Sequence, residues 1–393
     1  MKICFLANSE SIHIQRWIKY FTDTGHEVHI ISDSSNDKIN IENVIFHQLK
    51  NINSNRNTVT FYITLIINIV YVNYLIKSIK PDILHAHYVI YYGFYGVLTS
   101  FHPLIISVWG SDVLKVPDES IIAKYIIRYT LKGADKITTT AEFMRDHLFD
   151  NFKLAKEKII RIPWGINTNI FYQRYSSKEK ELKEYLEIGD AETVVISNRS
   201  MAPQYNIDKI IEAIPYVLKS NSNTVFVFIK GYGTTNFEKK MRLKARKLNI
   251  TNNIRFISKN ITPKEMATYL NISNMFISIT KTDQFASSIM EGMACGLVPI
   301  VSNINVYHQY LSDNSNALFV NPDNPQDLAE KIIYCINNPE IKENFYKINK
   351  EIIEKHENWD KNARKMEKLY EEMLKEGEVK DEMENPIVQN ISG

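Results

Sequence analysis

The chain has 393 residues, more than one ordinary domain holds, so two domains of roughly 150 to 200 residues each are expected. Its composition, 44% hydrophobic and 23% charged, is that of a folded globular protein and excludes a largely disordered one. A net charge of +2 excludes a dedicated nucleic-acid binder, which must neutralise many phosphates.

The first half alternates short apolar runs with helical patterns. Strands are expected over 2–8, 27–32, 45–49, 82–87, 104–109, 136–140 and 159–163, with helices over 12–22, 120–131 and 142–149. Met1 and Lys2 lead straight into the first strand, and that apolar run is too short for a signal peptide. The long apolar stretch 61–79 is interrupted by Asn68, Asn73 and Lys77. It falls short of the ~20 predominantly apolar residues of a spanning helix and is expected to be a buried helix packed on a sheet. The polar stretch 173–183 reads as an interdomain connection. The pattern then restarts, with strands at 193–197, 224–230, 253–258, 275–278, 298–302 and 318–320 and helices at 207–218, 237–248, 263–270 and 287–294. A charged helix over 360–374 carries an apolar stripe, Met366, Leu369, Tyr370 and Met373, that needs a partner surface. The tail 377–393 mixes charge, Pro386 and small polar residues and is expected to be disordered. Cys4, Cys295 and Cys335 are far apart and share no metal-ligand spacing, so they read as reduced thiols of a cytoplasmic protein.

Strands alternating with helices imply parallel sheets covered on both faces, two doubly wound α/β domains in all. Ligands of such sheets bind beyond the carboxyl ends of the strands. Attention therefore falls on residues 8–16, 85–88, 109–112 and 140–142, and on the run 283–299, DQFASSIMEGMACGLVP. In that run a loop after a strand enters a helix opened by Ala286, Ser287 and Ser288. Small side chains at a helix N-terminus let backbone N–H groups approach an anionic or polyhydroxy ligand. Asp283 and Glu291, seven residues apart, place one carboxylate before the helix and one inside it. An ordinary loop–helix unit with a solvated Asp explains the run equally well on these grounds alone.

The same run resembles the acidic–x7–acidic signature of retaining glycosyltransferases of family 4 (group 1) type, whose fold is GT-B: two Rossmann-like domains with a cleft between them. KICFLANSESIHIQRWIKYF, RIPWGINTNIF, ISNRSMAPQYNIDKIIEAI and ALFVNPDNPQDLAEKI resemble further stretches of that family, in the same order and almost to Leu374. The resemblance implies an acceptor-side domain over 1–170, a nucleotide-sugar-binding domain over 171–358, and a last helix, 360–374, that packs back on the first domain. It implies that Glu291 holds the ribose hydroxyls of the nucleotide. It implies too that Asp283, where the family more often has Glu, contacts the donor sugar, and that backbone amides around Phe285, Ala286 and Ser287 bind sugar or diphosphate. Arg199 matches the family's phosphate-binding arginine, whose fork suits a diphosphate. The lysine that usually follows is replaced by Tyr205, and Lys209 and Lys230 are the candidates to compensate. Trp109-Gly110 stands where many members have His-Gly, and Asp112 is a candidate for sugar hydroxyls. On the acceptor side His13, Arg16, His87 and Trp109 are the candidates, with His85 beside them.

The implied reaction is transfer of a hexosyl group, with retention, from a nucleotide diphosphate sugar, a UDP-sugar in the commonest case, to a hydroxyl of a glycan or lipid-linked acceptor in cell-surface polysaccharide synthesis. Arg199, Asp283, Asp112 and His13 are the expected catalytic set. Arg199, helix N-termini and backbone amides neutralise the departing diphosphate, which itself deprotonates the acceptor. No cofactor or metal is expected. A peripheral contact with the cytoplasmic membrane face is a further expectation, one that the basic excess of residues 1–165, 18 Lys+Arg against 15 Asp+Glu, is too small to carry. The rivals are a sugar-nucleotide 2-epimerase of the same fold and a non-enzymatic sugar-binding protein.

Overall fold

The computed structural model describes residues 1–34, 41–51, 59–114, 116–190, 192–283 and 285–384. It divides into two units, Met1–Trp164 together with Lys361–Gly393, and Gly165–Asp360.

In the first unit β1 (Lys2–Leu6), β2 (Glu27–Ser32), β3 (Val44–Gln48), β4 (Ile83–His87), β5 (Leu104–Ser107), β6 (Lys136–Thr139) and β7 (Ile159–Arg161) form a parallel sheet in the order β3-β2-β1-β4-β5-β6-β7. β1 is central, with Cys4 opposite His29 on one side and Leu84 on the other. Its run Ile3–Leu6 is apolar throughout because a central parallel strand is covered on both faces. The crossovers are α1 (Ile12–Asp23), α2 (Val59–Ile79), α3 (Phe94–Leu98), α4 (Ser111–Leu114), α5 (Val116–Glu119), α6 (Ile121–Gly133) and α7 (Glu142–Phe152). Right-handed crossovers place α1, on the outward path from β1 to β2, on one face of the sheet, and α2, α3, α6 and α7 on the other. α1 buries Ile14, Trp17, Ile18 and Phe21, spaced i, i+3, i+4 and i+7.

α2 departs from expectation. Phe61, Asn68, Val72, Leu75, Ile76 and Ile79 are buried, but Tyr62, Ile63, Ile66, Val70 and Tyr74 face solvent. The helix is apolar on both sides, so its sequence does not reveal which side the sheet covers. It is long and apolar enough to cross a membrane, yet its buried side belongs to the sheet's helical layer.

In the second unit β8 (Thr193–Ser197), β9 (Thr224–Ile229), β10 (Ile254–Ile257), β11 (Met275–Ser278), β12 (Val298–Ser302) and β13 (Leu318–Val320) form a parallel sheet in the order β10-β9-β8-β11-β12-β13. Its helices are α8 (Ser177–Tyr185), α9 (Ile207–Ser220), α10 (Thr235–Lys247), α11 (Pro263–Asn271), α12 (Ser287–Ala294), α13 (Pro325–Asn337) and α14 (Ile341–His356). The expected polar connection 173–183 is half helix. Ser176 caps α8 in a capping box with Glu179, whose buried carboxylate also accepts from Arg174 Nε at 3.2 Å. α12 ends on Gly296 at φ +80°, where Leu297 N–H reaches back to the Gly292 carbonyl at 3.1 Å.

α15 (Trp359–Glu384) carries the chain from the second unit back to the first. Ala363, Met366, Leu369, Tyr370 and Met373 are its buried stripe. Tyr370 stacks on Phe21 with ring centroids 5.1 Å apart, and Glu367 accepts from Tyr20 Oη at 2.6 Å. The helix outruns its expected end: Gly377–Glu384 is helical backbone rather than disordered tail, and 385–393 lies outside the described residues.

Candidate active site

Each sheet has one place where successive strands depart in opposite directions: between β8 and β11 in the second unit, between β1 and β4 in the first. Such a switch point opens a crevice beyond the strand ends.

In the second unit that crevice is built from Asn198 and Arg199 after β8 and from the segment after β11 that leads into α12. Arg199 donates through Nη1 to Asp283 Oδ2 at 3.0 Å and to Ser288 Oγ at 3.0 Å. Tyr307 Oη donates to the same Asp283 oxygen at 2.7 Å, and the Tyr205 ring lies 4.2 Å from the guanidinium carbon. Asn198 Nδ2 ties the cluster to the Ser288 carbonyl at 2.7 Å. Burial acts to lower the pKa of Arg199, but Asp283, Tyr307 and Tyr205 outweigh it and the net shift is upward. Burial, then the Asp283 charge, raises the Tyr307 phenol well above its ordinary value, so it stays a proton donor. Ser197 Oγ and Asn198 Oδ1 are buried at this strand end without a hydrogen-bond partner among the described residues.

α12 approaches β11 closely because residue 292 is Gly: a Cβ there would sit 2.4 Å from the Phe276 ring. Ala286 is its N-cap, and Ser287 and Ser288 form its first turn, where N–H groups lack intrahelical partners. Phe285 holds φ +59° and is buried against Tyr307 and Tyr310. Glu291 is half-buried one turn beyond Ser287 and Ser288, at the i+4 and i+3 spacings that share a helix face.

The sequence did not show these pairings. Asp283 Oδ2 accepts from both Arg199 and Tyr307. Tyr205, in the place of the family's lysine, supplies an aromatic face to Arg199 instead of a charge. Lys230 turns toward Thr235 Oγ1 at 3.2 Å and Glu238 at 3.9 Å, and Lys209 pairs with Glu212 at 2.9 Å, so neither joins the Arg199 cluster. Ser288 was read from sequence only as a small residue opening the helix, and Tyr307 was not singled out. Ser288 stood inside the recognised run, whereas Tyr307 lies beyond β12 and no local pattern marks it.

In the first unit the switch point gathers aromatic and imidazole rings. His13, in the first turn of α1, stacks on Trp164 with centroids 4.1 Å apart, and Trp109 meets Trp164 at 4.8 Å. His87 ends β4, 6.2 Å from Trp109 edge to face. The His87 ring nitrogens, His13 Nδ1 and Trp109 Nε1 are buried atoms without hydrogen-bond partners among the described residues. Burial, with Arg16 adding to it, lowers the His13 pKa to about 4; burial, then His13, lowers that of His87 to about 3. Both rings are therefore neutral near pH 7. His85 is structural: it shares hydrogen bonds with Tyr370 Oη at 2.5 Å and Ser107 Oγ at 2.7 Å.

Asp112 is also corrected. Its carboxylate is fully buried and accepts from the backbone N–H groups of Val89 at 3.0 Å, Trp109 at 3.2 Å and Gly110 at 2.6 Å. It clamps the loop after β5 to the loop after β4, where Tyr88 and Tyr91 hold positive φ. Burial outweighs these hydrogen bonds and raises its pKa to about 6. Asp112 positions the loop that carries Trp109 and is closed to a sugar.

Residues 2–141 match the family profile described as Glycosyl transferase 4-like, and residues 178–366 match Glycosyl transferases group 1. The chain is 26% identical over 367 residues to an uncharacterized glycosyltransferase, MJ1178, of Methanocaldococcus jannaschii, covering 92% of this chain and 94% of that one. It is 25% identical over 280 residues to an alpha-monoglucosyldiacylglycerol synthase of Acholeplasma laidlawii, covering 67% and 69% of the two chains. Alr3699/HepE of Anabaena, crystallised with UDP and glucose, shares the fold at a TM-score of 0.75 and 14% identity, over 95% of this chain and 100% of that one. With two Rossmann-like parallel sheets and matching profiles over residues 2–141 and 178–366, the chain belongs to the group 1 glycosyltransferases, enzymes of GT-B fold.

Proposed function

We propose that this glycosyltransferase moves a hexosyl group from a nucleoside diphosphate sugar, a UDP-sugar first, to a hydroxyl of a glycan or lipid-linked acceptor, with retained configuration. The observation that carries the reading is the Arg199 cluster at the second unit's switch point. A guanidinium fixed by Asp283 and Ser288 through Nη1 has Nη2 and Nε without a hydrogen bond among the described residues, a pair that can fork onto a diphosphate. The first turn of α12 adds N–H groups and a positive dipole end beside it. In this reading Glu291, one turn on along the same helix, accepts from the ribose diol.

Breaking the anomeric bond puts negative charge on the departing diphosphate. A donor set fixed before the reaction stabilises that charge without reorganising. The leaving phosphate then takes the acceptor proton, which needs no carboxylate base. The neutral His13 and His87 and the indole of Trp109 suit the acceptor side, because polar edges unpaired among the described residues and set among aromatic faces match a sugar's hydroxyls and C–H faces. The lipid-linked option is supported by the Acholeplasma relative's name, and the uridine option by the UDP bound to the Anabaena protein.

The test is a thermal-shift screen against UDP, GDP, ADP and their sugars, followed by product analysis. A stabilising nucleoside diphosphate, its release from the sugar nucleotide, and an α-linked product from an α-linked donor are expected. Stabilisation by none of them sinks the donor reading, and release of an epimerised sugar without transfer would make the chain an epimerase.

A further inference from the structure

Two helices of the first unit turn apolar side chains to solvent that the transfer chemistry does not use. On α2, Val59, Tyr62, Ile63, Ile66, Val70 and Tyr74 are each more than half exposed and form one stripe that ends at exposed Lys77. On α6, Ile121, Ile122, Tyr125 and Tyr129 are likewise more than half exposed, beside exposed Lys124, Arg128 and Lys132. The two helices share one face of the sheet and flank one segment: Phe61 of α2 packs on Tyr91, and Tyr129 of α6 packs on Phe94.

We propose that this α2–α6 face docks on an anionic lipid surface, with α2 lying in the plane of the interface. Three features select that occupant. Neither helix contains an aspartate or glutamate, while together they carry Lys77, Lys124, Arg128 and Lys132. The exposed tyrosines have the apolar body and polar tip that suit the headgroup boundary. Self-pairing through the face would bring these cations onto one another. α2 does not span the bilayer, because its other side is tied to the domain: the Asn68 amide accepts from Lys50 N–H at 3.1 Å and donates to the Lys50 carbonyl at 2.9 Å. A groove of about 700 Å³ beside this bond, lined by Gln48, Lys50, Ile66, Val70, Tyr71 and Tyr74, gives an acyl chain somewhere to lie. The inference is independent of the donor and acceptor assignments.

The full chain is sedimented with vesicles of phosphatidylcholine plus phosphatidylglycerol, and with phosphatidylcholine alone. Binding to the anionic vesicles that weakens with salt is expected. Ile66→Glu with Val70→Glu should lower it tenfold or more, and Lys124→Glu with Arg128→Glu by about fivefold per residue. A solvatochromic dye on Tyr74→Cys should shift to the blue on anionic vesicles, while one on Glu181→Cys in the second unit should not. No sedimentation of the wild type, an unshifted Tyr74→Cys dye, unchanged binding by Ile66→Glu with Val70→Glu, or a wild-type dimer that this pair dissolves would each overturn the proposal.

Discussion

Arg199 and Asp283, 84 residues apart, meet at 3.0 Å with both side chains almost wholly shielded from solvent, at 7% and 10% exposure. Their pairing joins the end of β8 to the approach to α12.

Removing that guanidinium tests the chemistry. Arg199→Ala is expected to lower turnover on the order of 100-fold, with KM for the sugar nucleotide raised as well. Steady-state kinetics on protein whose circular dichroism matches the wild type checks this, and unchanged turnover would remove Arg199 from the diphosphate site.

Removing its partner tests the packing. Asp283→Ala leaves a buried cation with only the Ser288 hydroxyl and the Tyr205 ring beside it among the described residues and no counter-charge, so a loss of about 3 to 5 kcal/mol is expected in urea unfolding. Arg199→Ala with Asp283→Ala should cost less than the sum of the two singles, because the pair leaves together.

Asp112 and the two histidines give the first unit opposite pH slopes. The raised Asp112 pKa means that the folded state holds its proton more tightly than the unfolded state. That contribution is complete below pH 4 and fades as pH rises to about 6, a change of about 3 kcal/mol for a two-unit shift. His13 and His87 are depressed, so their contribution is complete above pH 6.5 and is lost as pH falls toward 4 and 3. Tm recorded from pH 4 to 8 should fall less steeply on acidification for His87→Phe than for the wild type, whereas Asp112→Asn should lose the opposing slope below pH 6.

Gly292→Ala tests the seat of α12. A methyl group 2.4 Å from the Phe276 ring must push helix or ring aside, at about 1 to 3 kcal/mol. Because α12 carries Ser288 and Glu291, nucleoside diphosphate affinity measured by calorimetry should fall with stability. Gly377→Ala, in the outer part of α15 with open space around it, should cost neither.

Much of this was legible along the chain. The alternation of apolar runs and helical stripes foreshadowed both sheets, and the run from Asp283 to Glu291 marked α12 as the place to look. Ser176 and Glu179 also carried a readable capping signal inside the stretch taken for a linker, and polarity masked it. The start of the tail, Gly377–Glu384, was misjudged in the same way, since charge and a glycine do not stop a helix that has already been nucleated by the buried stripe of α15.

What the sequence determined by itself was the class of fold and the segments that hold the chemistry, because periodicity and turn residues act locally. What only the tertiary structure decided was partnership. Asp112 was a candidate for sugar hydroxyls until three backbone amides were found on it. Tyr307 was unremarkable until it met Asp283. The exposed side of α2 could not be read from a helix apolar all round. Burial and pairing depend on which distant segments the sheet order brings together, and no local pattern carries that information.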